Sequence, residues 1–338
     1  MIIDLRSDTV TKPSRAMLEA MFNAEVGDDV FAEEPTVNAL EKKTAELFGM
    51  EAALYCPSGT MTNQIAIKIH TQPGDEVLCD ATAHIYNYEG GGIAFNSGVQ
   101  AKLIQGERGR ISARQVVESI NPSLDWLTRT SLVSIENTAN RAGGSYYSLQ
   151  QMQELAAVCK QNNIKYHLDG ARIFNAIVES DYKASDLGKI FDSISVCLSK
   201  GLGAPVGSLL LGSREMIRNA RRIRKVFGGG MRQAGYLAAA GIYALDNNIE
   251  RLKEDHAKAK HLAAAMSKLS YIENVLPVDT NIIIFNLNDK LKPEEFVAKL
   301  ASHNIKAVGF GKQAIRFVTH LDFTDEMLEK TESVLVKL

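Results

Sequence analysis

Three residues in this sequence each follow a short apolar run, and each carries a group that can react or bind. Lys200 follows "SVCLS" where the chain turns through "GLGAP", Asp169 ends "IKYHLD", and His84 comes just after "EVLCDATA". A lysine held against an apolar wall loses its proton more readily than one in water, because burial penalises the ammonium. Such an amine can attack a carbonyl and form a Schiff base. A carboxylate at a neighbouring strand end can pair with a cationic ring nitrogen. A fourth stretch, "CPSGT", puts Gly59 and Thr60 where a strand gives way to a helix. Small residues there let backbone N–H groups close on an anion at the positive end of the helix dipole.

Singly, each has an ordinary structural reading: a strand–helix turn, a helix cap, a loop lysine. As an ordered set they fit one ligand with an aldehyde, a pyridine nitrogen and a phosphate, which is pyridoxal 5′-phosphate (PLP). Lys200 follows Asp169 by 31 residues, room for one helix and one strand between neighbouring strand ends. The flat ring of His84 can stack on such a cofactor and act as, or orient, a base. Glu89, in "HIYNYEGG", is a second base candidate. His167, two residues before Asp169, points to the same side of its strand and reads as structural support. An amino-acid substrate also needs a carboxylate clamp, and the planar fork of arginine suits one. Arg172 lies beside Asp169, and Arg316 interrupts the apolar "AIRFVTH", where it must face an edge or a site.

The elements that would hold these residues alternate along the chain. "PTVNALEKKTAELFG" has helical spacing with Gly49 as its C-cap, and "TMTNQIAIKIHT" reads as a second helix. "AALYC", "EVLCD", "AKLIQG", "SLVSIEN", "IKYHLD", "SISVCLS" and "GSLLLG" are short apolar runs, most of them separated by helical or loop segments. That alternation predicts an α/β domain with a mostly parallel sheet, whose strand ends at the carboxyl edge would gather the residues above. "SISVCLS" and "GSLLLG" are joined by too short a bend for a parallel crossover, so one of them runs antiparallel. After residue 246 the pattern becomes a long polar helix, "NIIIFNL", a helix from Pro293, "AIRFVTH" and a last amphipathic helix. The reading is therefore a large domain over residues 1–246, N-terminal segment included, and a smaller α+β domain over 247–338.

Composition narrows the class of function. A net charge of −2 in 338 residues gives no field for nucleic acid, and the basic stretch "RNARRIRK" reads as a solvated helix face. The longest apolar run, "YLAAAGIYAL", is too short to cross a membrane. Cys56, Cys79, Cys159 and Cys197 are scattered and suggest neither a disulfide framework nor a metal site. A cytoplasmic setting is the expectation.

The ordered segments "DLRSDTVTKPS", "GDDVFAEEPTVNALE", "CPSGTMTNQIA", "DATAHIYNYEGGG", "IENTANRAGG", "HLDGARIFNA", "SKGLGAPVGSLL" and "GGGMRQAGYLAAAGIYAL" span almost the whole chain. They resemble the threonine aldolases, PLP-dependent enzymes with the aspartate aminotransferase fold (fold type I). The resemblance implies a Schiff base on Lys200, Asp169 on the pyridine nitrogen, His84 on the ring, and Gly59 and Thr60 on the phosphate. It also implies Ser7, Arg172 and Arg316 on the substrate carboxylate, with Arg172 near the cofactor's phenolic oxygen. Lys225 and Arg232 match positions that approach the site from a neighbouring subunit of a homotetramer, whose sites form at dimer interfaces. The implied reaction is cleavage of L-threonine or L-allo-threonine to glycine and acetaldehyde. A β-eliminating lyase or an aminotransferase would use the same frame, and a non-catalytic PLP-fold binding protein is a further alternative. Three positions depart from the family pattern: Phe31 for a frequent tyrosine, Ala139 for a frequent histidine, and Trp126 near a histidine of some members. These bear on how the β-hydroxyl is read.

Lys200→Ala should keep the fold while losing the yellow absorbance of the Schiff base and nearly all turnover. Absorbance spectroscopy with an activity assay checks this, and a yellow, active variant would place the cofactor elsewhere.

Overall fold

A computed structural model describes residues 1–338. A seven-stranded sheet carries the larger unit, in the order Ala52–Cys56, Ser208–Gly212, Ser193–Cys197, Lys165–Gly170, Arg129–Glu136, Asp75–Asp80 and Gln100–Ile104. Every pairing is parallel except the two made by Ser208–Gly212. That strand leaves Ser193–Cys197 through the glycine bend after Lys200, with no room for a crossover helix, so it must reverse. The inner strands are buried along almost their whole length, which suits a sheet covered on both faces.

Local sequence sets the helices that flank it. Helix Pro35–Phe48 starts with a proline, whose missing N–H costs nothing in a first turn, and stops at Gly49 in the left-handed conformation. Helix Gly59–His70 starts at Ser58, whose hydroxyl accepts from Met61 N at 3.2 Å.

The smaller unit has a four-stranded antiparallel sheet, in the order Val308–Gly309, Ala314–Val318, Ile282–Leu287 and Ile272–Val275. Helices Leu252–Met266, Pro293–Ser302 and Asp325–Leu335 pack against it around Phe285, Phe296 and Phe317. Those rings meet edge-to-face at 5.1 and 5.8 Å.

The first residues depart from the expected division of the chain. Ile3–Asp4 pairs in parallel with Ile305–Lys306, and Ile3 and Leu5 are buried in the core of the smaller unit. Ile3 and Leu5 find their apolar partners there rather than on the large sheet. The N-terminal segment then crosses to the large unit, which puts Ser7 and Asp8 at the junction. All four cysteines are free and buried. No helix is long and apolar enough to cross a membrane.

Candidate active site

The parallel strands end at one edge, and their last residues meet there. Asp169 and Glu136 are register partners on adjacent strands, and Asn137 N donates to Asp169 O at 2.9 Å. His84 opens the short helix His84–Asn87 that follows strand Asp75–Asp80. A His84 ring nitrogen and the carboxylate oxygens of Glu89 and Asp169 lie within 4.8 Å of one another. His84, Glu89 and Asp169 thus form one cluster.

His84 is held at two points. Its backbone N–H donates to Glu136 Oε2 at 2.9 Å, and its Nδ1 is 3.0 Å from Glu89 Oε1. Burial works against the imidazolium, but the Glu89 hydrogen bond and the charges of Asp169, Glu89 and Glu136 outweigh it and hold His84 above its ordinary value. Burial, then the charge of Asp169, pushes Glu136 up to about 7. Glu89 accepts from Asn63 Nδ2 at 2.9 Å and from Gln64 Nε2 at 2.6 Å. Asn63, Gln64 and His84 thus fix the Glu89 carboxylate from three sides.

The residues fit the cofactor that the sequence suggests. Asp169 is buried, accepting from Asn63 Nδ2 at 2.9 Å and from Ala171 N at 3.2 Å, with lone pairs to spare for a ring N–H. Gly59 and Thr60 lie in the first turn of their helix, where backbone N–H groups lack intrahelical partners. Ser208 Oγ is a buried hydroxyl with no hydrogen-bond partner, and a Cβ placed on Gly59 would lie 3.6 Å from it. Orphan donors around a glycine at a helix start form an anion cradle. Lys200 is half-buried in a turn closed by Gly203 N donating to Lys200 O at 2.8 Å, with Gly203 at φ +80°.

The arginines differ from each other. Arg172 Nε and Nη2 donate to Asp8 Oδ2 and Oδ1, both at 2.7 Å, deep in the protein. Expected as a clamp for substrate carboxylate, Arg172 gives Nε and one Nη2 hydrogen to Asp8, which leaves Nη1 and the second Nη2 hydrogen for a ligand. Arg316 has no acidic partner. Its Nη1 donates to Asn140 Oδ1 at 2.8 Å and Nη2 to Arg6 O at 2.9 Å, while Nε is buried without a partner. Its guanidinium lies 4.6 Å from the Phe310 ring centre. Burial, then repulsion from Arg172, pushes Arg316 down to about 10. Ser7 Oγ accepts from Thr9 N at 3.2 Å beside Asp8.

Lys225 is exposed, and Arg232, also exposed, pairs with Asp28 at 2.9 Å; neither hydrogen-bonds to the cluster. Phe31 is exposed and Ala139 buried. Trp126 is exposed in the loop leading into the amino end of strand Arg129–Glu136, the edge opposite His84 and Asp169.

Sequence reading passed over Asp8, Asn63, Glu136 and Ser208. Two of them carried a signal. Asn63 falls on the inner face of its helix, four residues before the buried Ile67, where a polar side chain is costly without partners. Glu136 ends an apolar run as Asp169 does.

Comparison with known proteins identifies the family of the chain. The profile of the Beta-eliminating lyase family matches residues 4–290. The low specificity L-threonine aldolase of Escherichia coli (strain K12) is 44% identical over 331 residues, covering 97% of this chain and 96% of that one. The low-specificity L-threonine aldolase 1 of Arabidopsis thaliana is 40% identical over 338 residues, covering 98% and 94%. The chain belongs to the threonine aldolase family. Among solved structures, the threonine aldolase of Leishmania major superposes with a TM-score of 0.85 at 20% identity, covering 99% of both chains. A serine palmitoyltransferase of Sphingomonas wittichii superposes at 0.76 with 16% identity, covering 99% and 86%. At those identities the likeness is one of fold, which different chemistries share. For a threonine aldolase family member, the decisive features are therefore the side chains at the sheet edge.

Asp8→Asn should leave Arg172 buried without a counter-ion and cost about 3–5 kcal/mol. Burial raises the Asp8 carboxyl, but the Arg172 guanidinium outweighs it and holds the group well below the carboxylate range. The stability this supplies is full above an unfolded value of about 3.9 and is lost as pH falls below it. Urea unfolding at neutral and acid pH should show that loss in the parent protein and its absence in Asp8→Asn. Equal stability at neutral pH would reduce the pair to an incidental contact.

Proposed function

We propose that this chain is a PLP-dependent aldehyde-lyase that cleaves β-hydroxy-α-amino acids, L-threonine and L-allo-threonine, to glycine and acetaldehyde. The observation that carries the reading is the cluster of His84, Glu89 and Asp169 within 4.8 Å of one another, at the sheet edge where Lys200 leaves its strand. Near-full-length similarity to the E. coli enzyme supports it.

In this reading Lys200 binds the cofactor's aldehyde carbon, Asp169 faces the ring nitrogen, and Gly59, Thr60 and Ser208 hold the phosphate. The bound cofactor supplies an electron sink for the pair released when the Cα–Cβ bond breaks. Arg316, a half-buried cation without a carboxylate, takes the substrate's carboxylate and so fixes which bond at Cα stands across the ring. Ser7 and the free Nη1 of Arg172 flank that position. His84 Nδ1 is engaged by Glu89, which leaves Nε2 to receive the β-hydroxyl proton. Its neighbours, Glu136 and Asn140, tie the base to the clamp: Asn140 N donates to Glu136 Oε1 at 2.9 Å while Asn140 Oδ1 accepts from Arg316.

The working enzyme in this reading is a homotetramer in the cytoplasm. Exposed Phe22, Phe31, Phe95 and Val226 offer apolar surface for a second copy. Exposed Lys225 and Arg232 would then complete a neighbour's site.

Purified protein with PLP and either threonine diastereomer should release acetaldehyde and glycine in equal amounts. Ammonia and a keto acid instead would assign an eliminating lyase, and no turnover would assign a binding role. Glu89→Gln should lower the His84 pKa, because the carboxylate that favours imidazolium is gone. The acid limb of the cleavage profile should then move down by about one pH unit or more. An unchanged limb would place the base elsewhere.

A further inference from the structure

Helix Gly59–His70 buries a polar seam against the sheet. Asn63 and His70 are two turns apart on one helical face, and His167 and Asp169 share one face of strand Lys165–Gly170. Their side chains touch in a single line. His70 Nε2 is 2.9 Å from Ser193 Oγ, and Ser193 Oγ is 2.8 Å from His167 Nδ1. His167 Nε2 is 3.2 Å from Asn63 Oδ1, and Asn63 Nδ2 is 2.9 Å from both Asp169 Oδ2 and Glu89 Oε1.

The ends of the line set the place of every proton. Carboxylates only accept, so Asn63 turns its nitrogen to them and its oxygen to His167. That oxygen needs a donor, so His167 carries its hydrogen on Nε2. Burial, aided by His70, pushes His167 down to about 3, so the ring is neutral and Nδ1 is bare. Nδ1 then accepts from the Ser193 hydroxyl, and Ser193 accepts in turn from His70 Nε2–H. Burial pushes His70 down to about 4, so it too is neutral. Every donor points toward Asp169 and Glu89. Apolar side chains would fill this seam without the cost of desolvating four polar groups, so what the line adds lies at its carboxylate end.

We propose that His70, Ser193, His167 and Asn63 form a one-way hydrogen-bond chain that positions the Asp169 carboxylate against the cofactor's ring nitrogen and the Glu89 carboxylate against His84. His167 and Asn63 are then positioning residues of the reaction. The role of Asp169 toward the ring nitrogen rests on the PLP reading; the direction of the protons does not.

Two measurements test this. Neutron diffraction from the deuterated protein should place deuterium on Nε2 of both His70 and His167 and none on His167 Nδ1. Deuterium on His167 Nδ1 would overturn the chain, whether or not any variant folds. PLP titration of the apoprotein should show His167→Phe weakened about 10–100-fold, the scale of a hydrogen bond to a charged group. Its kcat should fall while the KM for L-threonine holds, since the Arg316 clamp is untouched. His167→Gln, whose Nε2 can stand where the imidazole Nε2 stands, should recover most of the affinity. Unchanged affinity in His167→Phe, or His167→Gln as weak as His167→Phe, sinks the proposal. A parent protein that binds no PLP would instead refute the cofactor reading, and the neutron result alone would then decide the chain.

Discussion

The Asp8–Arg172 ion pair joins three parts of the molecule. Arg172 follows the strand that carries Asp169, while Asp8 lies on the N-terminal segment whose first residues belong to the smaller unit's core. Asn281, at the start of a strand of the smaller sheet, donates to Asp8 Oδ2 at 3.3 Å and to Thr319 O at 3.0 Å. A fully buried pair of this kind adds little net stability compared with apolar packing, but it is expensive to break. It therefore sets geometry: the two units can dock only where both charges are satisfied, and that docking brings Arg316 to the sheet edge.

Charge at that edge is deliberately unequal. Asp8 answers Arg172, and Glu89 answers His84. Arg316 has only neutral acceptors and an aromatic face, which leaves a half-buried positive charge available to an anion. Ser208 Oγ and the first N–H groups of helix Gly59–His70 make a second unanswered group of donors. Two anion-seeking sites flank a carboxylate and an amine, a pattern that suits a phosphorylated cofactor and a carboxylate substrate more readily than either alone. A cavity of about 610 Å³ lined by His70, Lys165, Asp192 and Ser213 lies at the opposite, amino edge of the sheet.

Much of this was legible in the sequence. Lys200, Asp169 and His84 each close or follow an apolar run, and parallel strands send such positions to one edge. The reversal of Ser208–Gly212 followed from the length of a bend. Arg316 stood out because an arginine inside an apolar strand needs a reason. The place of Ile3 and Leu5 in the smaller unit's core was not legible, because apolar side chains carry no label for the core they join. Arg172 was expected on the substrate carboxylate, and nothing in "HLDGAR" announces that it also meets a carboxylate 164 positions earlier in the chain.

By itself the sequence determined which chemistry was available: an amine, a carboxylate, an imidazole and an anion turn, in order along alternating strands and helices. Those follow from residue type and from periodicities of 2 and 3.6, which are local. Tertiary structure alone decided which charges are already spent. Pairing depends on distances of about 3 Å between segments far apart in the chain, and no local pattern encodes these. That is why Asp8 could claim Arg172, why Arg316 remains unanswered, and why a neutral histidine comes to stand behind Asp169.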